Sequence, residues 1–261
     1  MDTKDVVLRI SDLSIGYKSS KATKVVAKNI NFSLEKGKLT ALIGANGIGK
    51  STLLKTITAV EKPLSGKVEL HNKNLFEIPQ KKVAQLMSVV LTEKLPPSNL
   101  TVSQLIALGR QPYTNWIGEL SDTDKAKVAE AIQLVQIEDL ADKKHFELSD
   151  GQFQKALIAR ALAQDTALII LDEPTTHLDL FHKVSIFRLL KKLAHQANKC
   201  ILFSTHNIDF ALELCDEIIV MTPDKIQKGT PQELTQSGIF DQLFEGEAVV
   251  FDKEKKKFVF K

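Results

Sequence analysis

Residues 44–52 read Gly-Ala-Asn-Gly-Ile-Gly-Lys-Ser-Thr and follow directly on an apolar, strand-like stretch, Leu39-Thr40-Ala41-Leu42-Ile43. The run fits the spacing G-x-x-x-x-G-K-[ST], which places a glycine-rich turn between a strand and a helix. Gly44, Gly47 and Gly49 let the backbone wind tightly and turn its N–H groups toward phosphate oxygens. Ser51-Thr52-Leu53-Leu54-Lys55 then opens a helix whose positive end faces the same anion. Asn46 and Thr52 complete the loop expected against a nucleotide. Lys50 is suited to neutralise β- and γ-phosphates, and the Ser51 hydroxyl to bind Mg²⁺, a hard cation that prefers oxygen ligands. A glycine-rich surface turn would explain the same nine residues, so other segments must decide.

A second segment, Ala167-Leu168-Ile169-Ile170-Leu171-Asp172-Glu173-Pro174, is an unbroken apolar run ending in two carboxylates. It reads as a buried parallel strand delivering acids at its C-terminal edge, where ligands bind in such sheets. Asp172 can hold a Mg²⁺ shell. Glu173, the next residue and pointing elsewhere, is suited to orient or deprotonate an attacking water, which makes it the candidate catalytic base. A strand followed by a solvated acidic turn is common by itself, but far less expected beside a phosphate loop.

Between these segments lies Leu148-Ser149-Asp150-Gly151-Gln152, followed by a helical pattern through Ala163. With one departure it resembles LSGGQ, the signature of ATP-binding-cassette ATPases. A helix opened by Ser149, with Gly151 and Gln152 in its first turn, offers free N–H groups and a dipole end, a second anion site. The resemblance implies that this second site caps the γ-phosphate held by a partner copy, in a head-to-tail dimer of the chain. Asp150 stands where the family has glycine, and a carboxylate there is expected to face away or to cap the helix.

Further matches follow in family order. Tyr17, at the end of an amphipathic strand from Leu8, takes the position of the ring that stacks on adenine, although alone it would read as an ordinary strand-end tyrosine. Thr176-His177-Leu178-Asp179 resembles the loop that crosses the dimer interface, which puts Asp179 at the shared nucleotide. His206, ending the apolar run Cys200–Thr205, takes the place of a histidine that touches the γ-phosphate, and so joins Glu173 and Lys50 as catalytic candidates. Glu93, in Leu91-Thr92-Glu93, aligns with a glutamine that reaches the Mg²⁺ and the water. The other five histidines show no paired metal spacing.

The implied fold is α/β: a P-loop NTPase core with an antiparallel β subdomain and an inserted α-helical subdomain, in one cassette. The core is expected over 1–93 and 161–229, the helical part with the signature over 94–160, and a short extension over 230–261. Helical spacing marks Thr101 to Leu108 and Asp122 to Gln136, with Ser121 as a cap. Val184 to Leu193 and Ile208 to Leu214 read as helices. Leu86 to Leu91, Cys200 to Ser204 and Glu217 to Met221 read as strands, and a hairpin joins Ala248–Phe251 to Phe258–Phe260.

With 43% hydrophobic and 26% charged residues, the chain can bury a sizeable core. No apolar run is long enough to span a membrane, and Met1–Asp5 is too charged for a signal peptide. Cys200 and Cys215 read as buried free thiols of a reducing compartment. The net charge of +3 gives little support to a nucleic-acid partner.

These features imply the ATPase subunit of a transporter, lying on the cytoplasmic face of a bacterial membrane. It would couple to separate permease subunits and, through them, to a substrate-binding protein. The stretch Leu100–Tyr113, with Gly229–Leu234 and Ile239–Phe244, resembles importers of iron–siderophore complexes, haem and cobalamin. The alternatives are a cassette of another transporter class and a non-transport assembly or maintenance ATPase. Maintenance relatives carry long coiled coils or paired cassettes, and this chain has neither.

Overall fold

A computed structural model describes residues 5–19, 22–91, 98–243, 249–253, 255 and 257–260. The chain begins with β1 (Val6–Lys18) and β2 (Thr23–Glu35), followed by β3 (Leu39–Gly44), α1 (Lys50–Ile57), β4 (Ser65–Leu70) and β5 (Lys73–Asn74). Next come α2 (Gln80–Leu86), β6 (Met87–Val90), α3 (Val102–Ala107), α4 (Asp122–Val135), α5 (Asp150–Ala163) and β7 (Leu168–Leu171). The remainder is α6 (Leu180–Gln196), β8 (Cys200–Ser204), α7 (Ile208–Leu214), β9 (Glu217–Met221), β10 (Ile226–Gly229), α8 (Pro231–Ser237), β11 (Val249–Asp252) and β12 (Lys257–Phe260). None of the helices among the described residues is long and apolar enough to cross a membrane.

Six strands form the central sheet in the order β10-β9-β3-β8-β7-β6, parallel except for the β9–β10 pair. Its strands are apolar on both faces, as a covered parallel sheet requires. The period of two sorts their side chains: Ala41, Ile169, Ile201 and Ile218 enter one cluster with the helical region and α6. Leu42, Ile170, Leu202 and Ile219 enter the other, with α1 and the antiparallel sheet β2-β1-β4-β5. Each of these leucine and isoleucine side chains contributes roughly 1.5–3 kcal/mol on burial. Both cysteines are buried and free, and burial pushes the Cys200 thiol up to about 12.

Two elements differ from the periodicity. β2 is invisible to an apolar-run reading because only Ile30, Phe32 and Leu34 are buried, alternating with polar residues, while Val25, Val26 and Ala27 are exposed or half-buried. The helix expected from Val184 begins at Leu180 instead, because the Asp179 carboxylate accepts the His182 N–H at 2.8 Å and starts the helix one turn earlier.

The helical region is fastened by one buried ion pair. Arg110 Nε donates to Asp124 Oδ1 at 2.8 Å and its Nη1 to the Ala163 carbonyl at 2.7 Å, tying α4 to the end of α5. Ser121 caps α4 as expected and closes a reciprocal pair with Asp124.

Candidate functional site

A cleft of about 620 Å³ opens at the C-terminal edge of β3, lined by Tyr17, Asn46, Gly47, Gly49, Lys50, Ser51, Thr52, Glu173 and His206. Ile48, a variable position of the loop motif, also lines it, and the remaining lining, Lys24, Val25, Val26 and Pro223, carries no motif and was not legible in the sequence. Gly47 and Gly49 have φ of 74° and 115°, backbone that L side chains rarely adopt. A Cβ on Gly49 would also stand 2.3 Å from Val26 Cγ1.

Lys50 is only 7% exposed. Its ammonium donates to the carbonyls of Gly44 at 2.9 Å and Ala45 at 3.1 Å, so it lies folded back on the loop. Burial lowers its pKa, against the opposing pull of the Glu173 and Asp172 carboxylates. An anion in the loop would meet a cation whose charge costs free energy to maintain until it is neutralised.

The two acids at the end of β7 are organised by a residue the sequence reading passed over. Ser204 Oγ donates to Asp172 Oδ1 at 2.6 Å and accepts the Glu173 N–H at 2.8 Å, so the tip of β8 fixes both acids from across the ladder. Its only sequence signal is a hydroxyl ending an apolar strand. Glu173 carries φ 45°, a conformation costing about 1–3 kcal/mol that its surroundings must impose. Its carboxylate pairs with His206 Nε2 through Oε1 and accepts from Thr176 Oγ1 through Oε2 at 3.0 Å. On the far wall, Tyr17 Oη and Thr52 Oγ1 share a hydrogen bond of 2.8 Å.

Ser149, Gly151, Gln152 and Asp179 do not line this cleft. They form a second locality, where Ser149 caps α5 and Gln152 closes the reciprocal bond to the Ser149 N–H at 3.0 Å. Of the first-turn N–H groups expected to be free, that of Gln152 is taken by Ser149 Oγ at 3.3 Å. Asp150 is exposed at the first helical position, and the cap is Ser149. Gly151 packs under the His182 ring, so that a Cβ there would stand 2.3 Å from Cδ2. The same ring bonds both Asp179 carboxylate oxygens at 2.8 Å through Nδ1. His182 therefore links the start of α5 to the loop ending at Asp179. Glu93 lies outside the described residues.

A glycine-rich loop opening a helix after one strand of a parallel sheet, with two acids at the end of another, β7, defines a P-loop nucleotide hydrolase, here with a second helix start set apart from the loop. Residues 27–176 match the ABC transporter family, and the chain belongs to it. An uncharacterised ABC transporter ATP-binding protein of Methanocaldococcus jannaschii is 40% identical, over 92% of this chain and 81% of that protein. The iron(3+)-hydroxamate import ATP-binding protein FhuC of Bacillus subtilis is 35% identical, over 96% of this chain and 92% of that protein. Among solved structures, a metal-chelate type ABC transporter in an inward-facing conformation superposes with a TM-score of 0.80 at 27% identity, covering 98% of this chain and 96% of that one. A dimeric ATP-binding cassette in a post-hydrolysis state, bound to ADP and Pi, gives 0.72 at 26% identity, over 86% and 98%. The chain is an ATP-binding, ATP-hydrolysing cassette subunit.

Proposed function

We propose that this cassette drives a membrane importer of a metal chelate, of the iron–siderophore, haem or cobalamin kind, from the cytoplasmic face of the membrane. The observation that carries the reading is 35% identity, along 96% of the chain, to a subunit named for iron(3+)-hydroxamate import. The cargo does not meet this chain. Its permease partner would dock on the helical region, where Leu108, Trp116 and Ile117 are exposed apolar residues and Trp116 is 94% exposed.

Within each copy, Tyr17 stacks on the adenine and the loop N–H groups from Asn46 to Thr52 take the phosphates. Lys50 leaves the Gly44 and Ala45 carbonyls for the β- and γ-phosphates. Ser51 and Asp172 supply hard oxygens that fit Mg²⁺, which would neutralise charge on the transferring phosphoryl group. Glu173 orients the water and takes up its proton, while His206, already against the Glu173 carboxylate, is within reach of the γ-phosphate. Ser149, Gly151 and Gln152 of a second copy close the γ-phosphate from the other side, with Asp179 beside them. Glu93 is assigned here, on its order along the chain, as a further oxygen ligand.

Purification of the cassette with its membrane partners, followed by ATPase assays of the reconstituted complex, tests the reading. The expected result is a multi-span permease whose ATPase activity rises when a ferric-siderophore- or haem-loaded binding protein is added. A complex responding only to an amino acid, a sugar or a lipid would overturn it.

A further inference from the structure

α6 carries two apolar faces where an ordinary surface helix carries one. Ile186, Phe187, Leu190, Leu193 and Ala194 face the core. Leu180, Phe181 and Val184 face the other way, into a groove of about 700 Å³ between α6, Lys155 of α5 and the end of α4, with Leu189, which also packs on the core, at its edge. Leu180 and Phe181 stay 69% and 79% exposed. The wall of this groove along α6 runs from Leu180 to Lys192, about 18 Å at 1.5 Å per residue.

The charge in the groove has one sign. Lys155, Arg188 and Lys192 line it, no acidic residue does, and none of the three forms an ion pair among the described residues. This contrasts with nearby Lys127, which is shared between Glu130 at 3.1 Å and Asp165 at 3.2 Å. An apolar trough with three uncompensated cations is complementary to a molecule with a hydrocarbon body and an anionic end. Its volume lies within the roughly 300–1,000 Å³ of small-molecule sites, and its concavity between three helices suits a single chain better than a flat bilayer.

The groove is also wired to the second half of the nucleotide site. Phe181 sits edge-on to His182, with ring centroids 5.7 Å apart. His182 is the ring that packs on Gly151 and binds Asp179. We propose that this groove binds a single-chain amphiphilic anion, a fatty carboxylate in the simplest case, and that an occupant resting on Phe181 shifts the start of α5 and so tunes ATP hydrolysis. The binding half stands on the groove alone, whereas the tuning half rests on the dimer reading above.

Calorimetry on the full chain without nucleotide tests the first half. The titrants are decanoate below its micelle concentration, decyltrimethylammonium of the same chain length, and acetate. Decanoate should saturate at one per chain, with the other two at least tenfold weaker. Arg188→Glu with Lys192→Glu should weaken decanoate tenfold or more, as should Val184→Trp, which fills the trough. Circular dichroism and ATP affinity would confirm that both variants are folded. Equal binding of decyltrimethylammonium, or unchanged decanoate binding by the charge-reversed variant, overturns the proposal. So does flotation on phosphatidylglycerol vesicles without decanoate binding, or a nucleotide-free dimer that Val184→Trp dissociates, because then a bilayer or a second copy is the occupant. With ATP present, decanoate should change turnover at least threefold in the native chain and not in the charge-reversed one. Binding without that change overturns the tuning half alone.

Discussion

The phosphate-loop end and the signature end grip an anion in the same way, with the start of a helix, yet they are built in opposite manners. At α1 the surroundings are complete: Lys50 is buried, Glu173 is strained and held by three groups, and Tyr17 closes one wall through Thr52. At α5 the first turn meets the His182 ring at Gly151, and Ser149 is exposed, its hydroxyl oxygen accepting from its own helix. One end is a finished cleft, whereas the other is half of a contact. The difference fits the proposed second copy, since Ser149 Oγ accepts the Gln152 N–H and keeps its own O–H to donate to an anion from outside.

That division breaks most visibly if the finished end proves dispensable. Glu173→Gln should retain ATP binding and lose hydrolysis by roughly 10²–10⁴, while Lys50→Ala should lose binding itself. Phosphate release and equilibrium nucleotide binding separate the two effects, and near-native turnover by Glu173→Gln would remove the base from the proposed mechanism. Size-exclusion chromatography of Glu173→Gln with ATP should show a dimer. A monomer at saturating ATP would leave the start of α5 without its assigned partner.

The two regions should also fail differently in acid. Both regions are held by apolar burial, and the helical region has in addition the buried pair of Arg110 and Asp124. The Ser121 hydrogen bond holds the Asp124 carboxyl below its ordinary value, burial opposes the shift, and Arg110 adds to the lowering. A carboxyl depressed in the folded state stabilises fully above its unfolded pKa of about 3.9, and that contribution is lost as pH falls through the lower folded value. Asp124→Ala, which leaves a buried guanidinium unpaired, should cost about 3–5 kcal/mol at neutral pH and flatten the acid limb of the stability curve. Urea unfolding between pH 3 and pH 7 measures both. An unchanged midpoint would show that the pair carries no stability.

How much of this was legible in the sequence follows from the range of the interactions. β7, β8 and β9 announce themselves because both faces are buried, and the caps at Ser121 and Ser149 because a cap is fixed by residues three apart. What stayed hidden is long-range or polar. β2 shows too few buried side chains to make a run, and α2 opens without a side-chain cap after Pro79. Ser204 reaches its partners across 31 and 32 residues, and the Gly151–His182 contact also spans 31 positions of sequence.

That last contact sharpens the comparison at smaller scale. Gly151→Ala sets a methyl group against the His182 ring, which must swing away and release Asp179. The fold should lose about 1 kcal/mol, the worth of the bond given up. ATP turnover should fall roughly tenfold, about 1.4 kcal/mol of transition-state stabilisation. Adding His182→Ala should restore the space without restoring the Asp179 bond, recovering part of the loss. Normal turnover by Gly151→Ala would show that the packing of α5 on α6 plays no part in closing the site.

The smallest effect is expected at the finished end, where Tyr17 is held from behind. The phenol does two separable things: its ring lines the cleft, and its hydroxyl fixes that ring to Thr52, a residue of the phosphate loop. Tyr17→Phe keeps the stacking surface and removes only the bond, worth about 0.5–1.5 kcal/mol, so ATP affinity should weaken roughly two- to tenfold with turnover at saturation unchanged. Thr52→Val should reproduce the shift through the same bond, and the double variant should be no worse than the weaker single one, because both remove one interaction. Tyr17→Ala should lose more than Tyr17→Phe, since stacking goes as well. A fluorescent ATP analogue titrated against all four proteins reads this directly. Additive losses in the double variant would show that the two hydroxyls act independently and that the ring is positioned by packing alone.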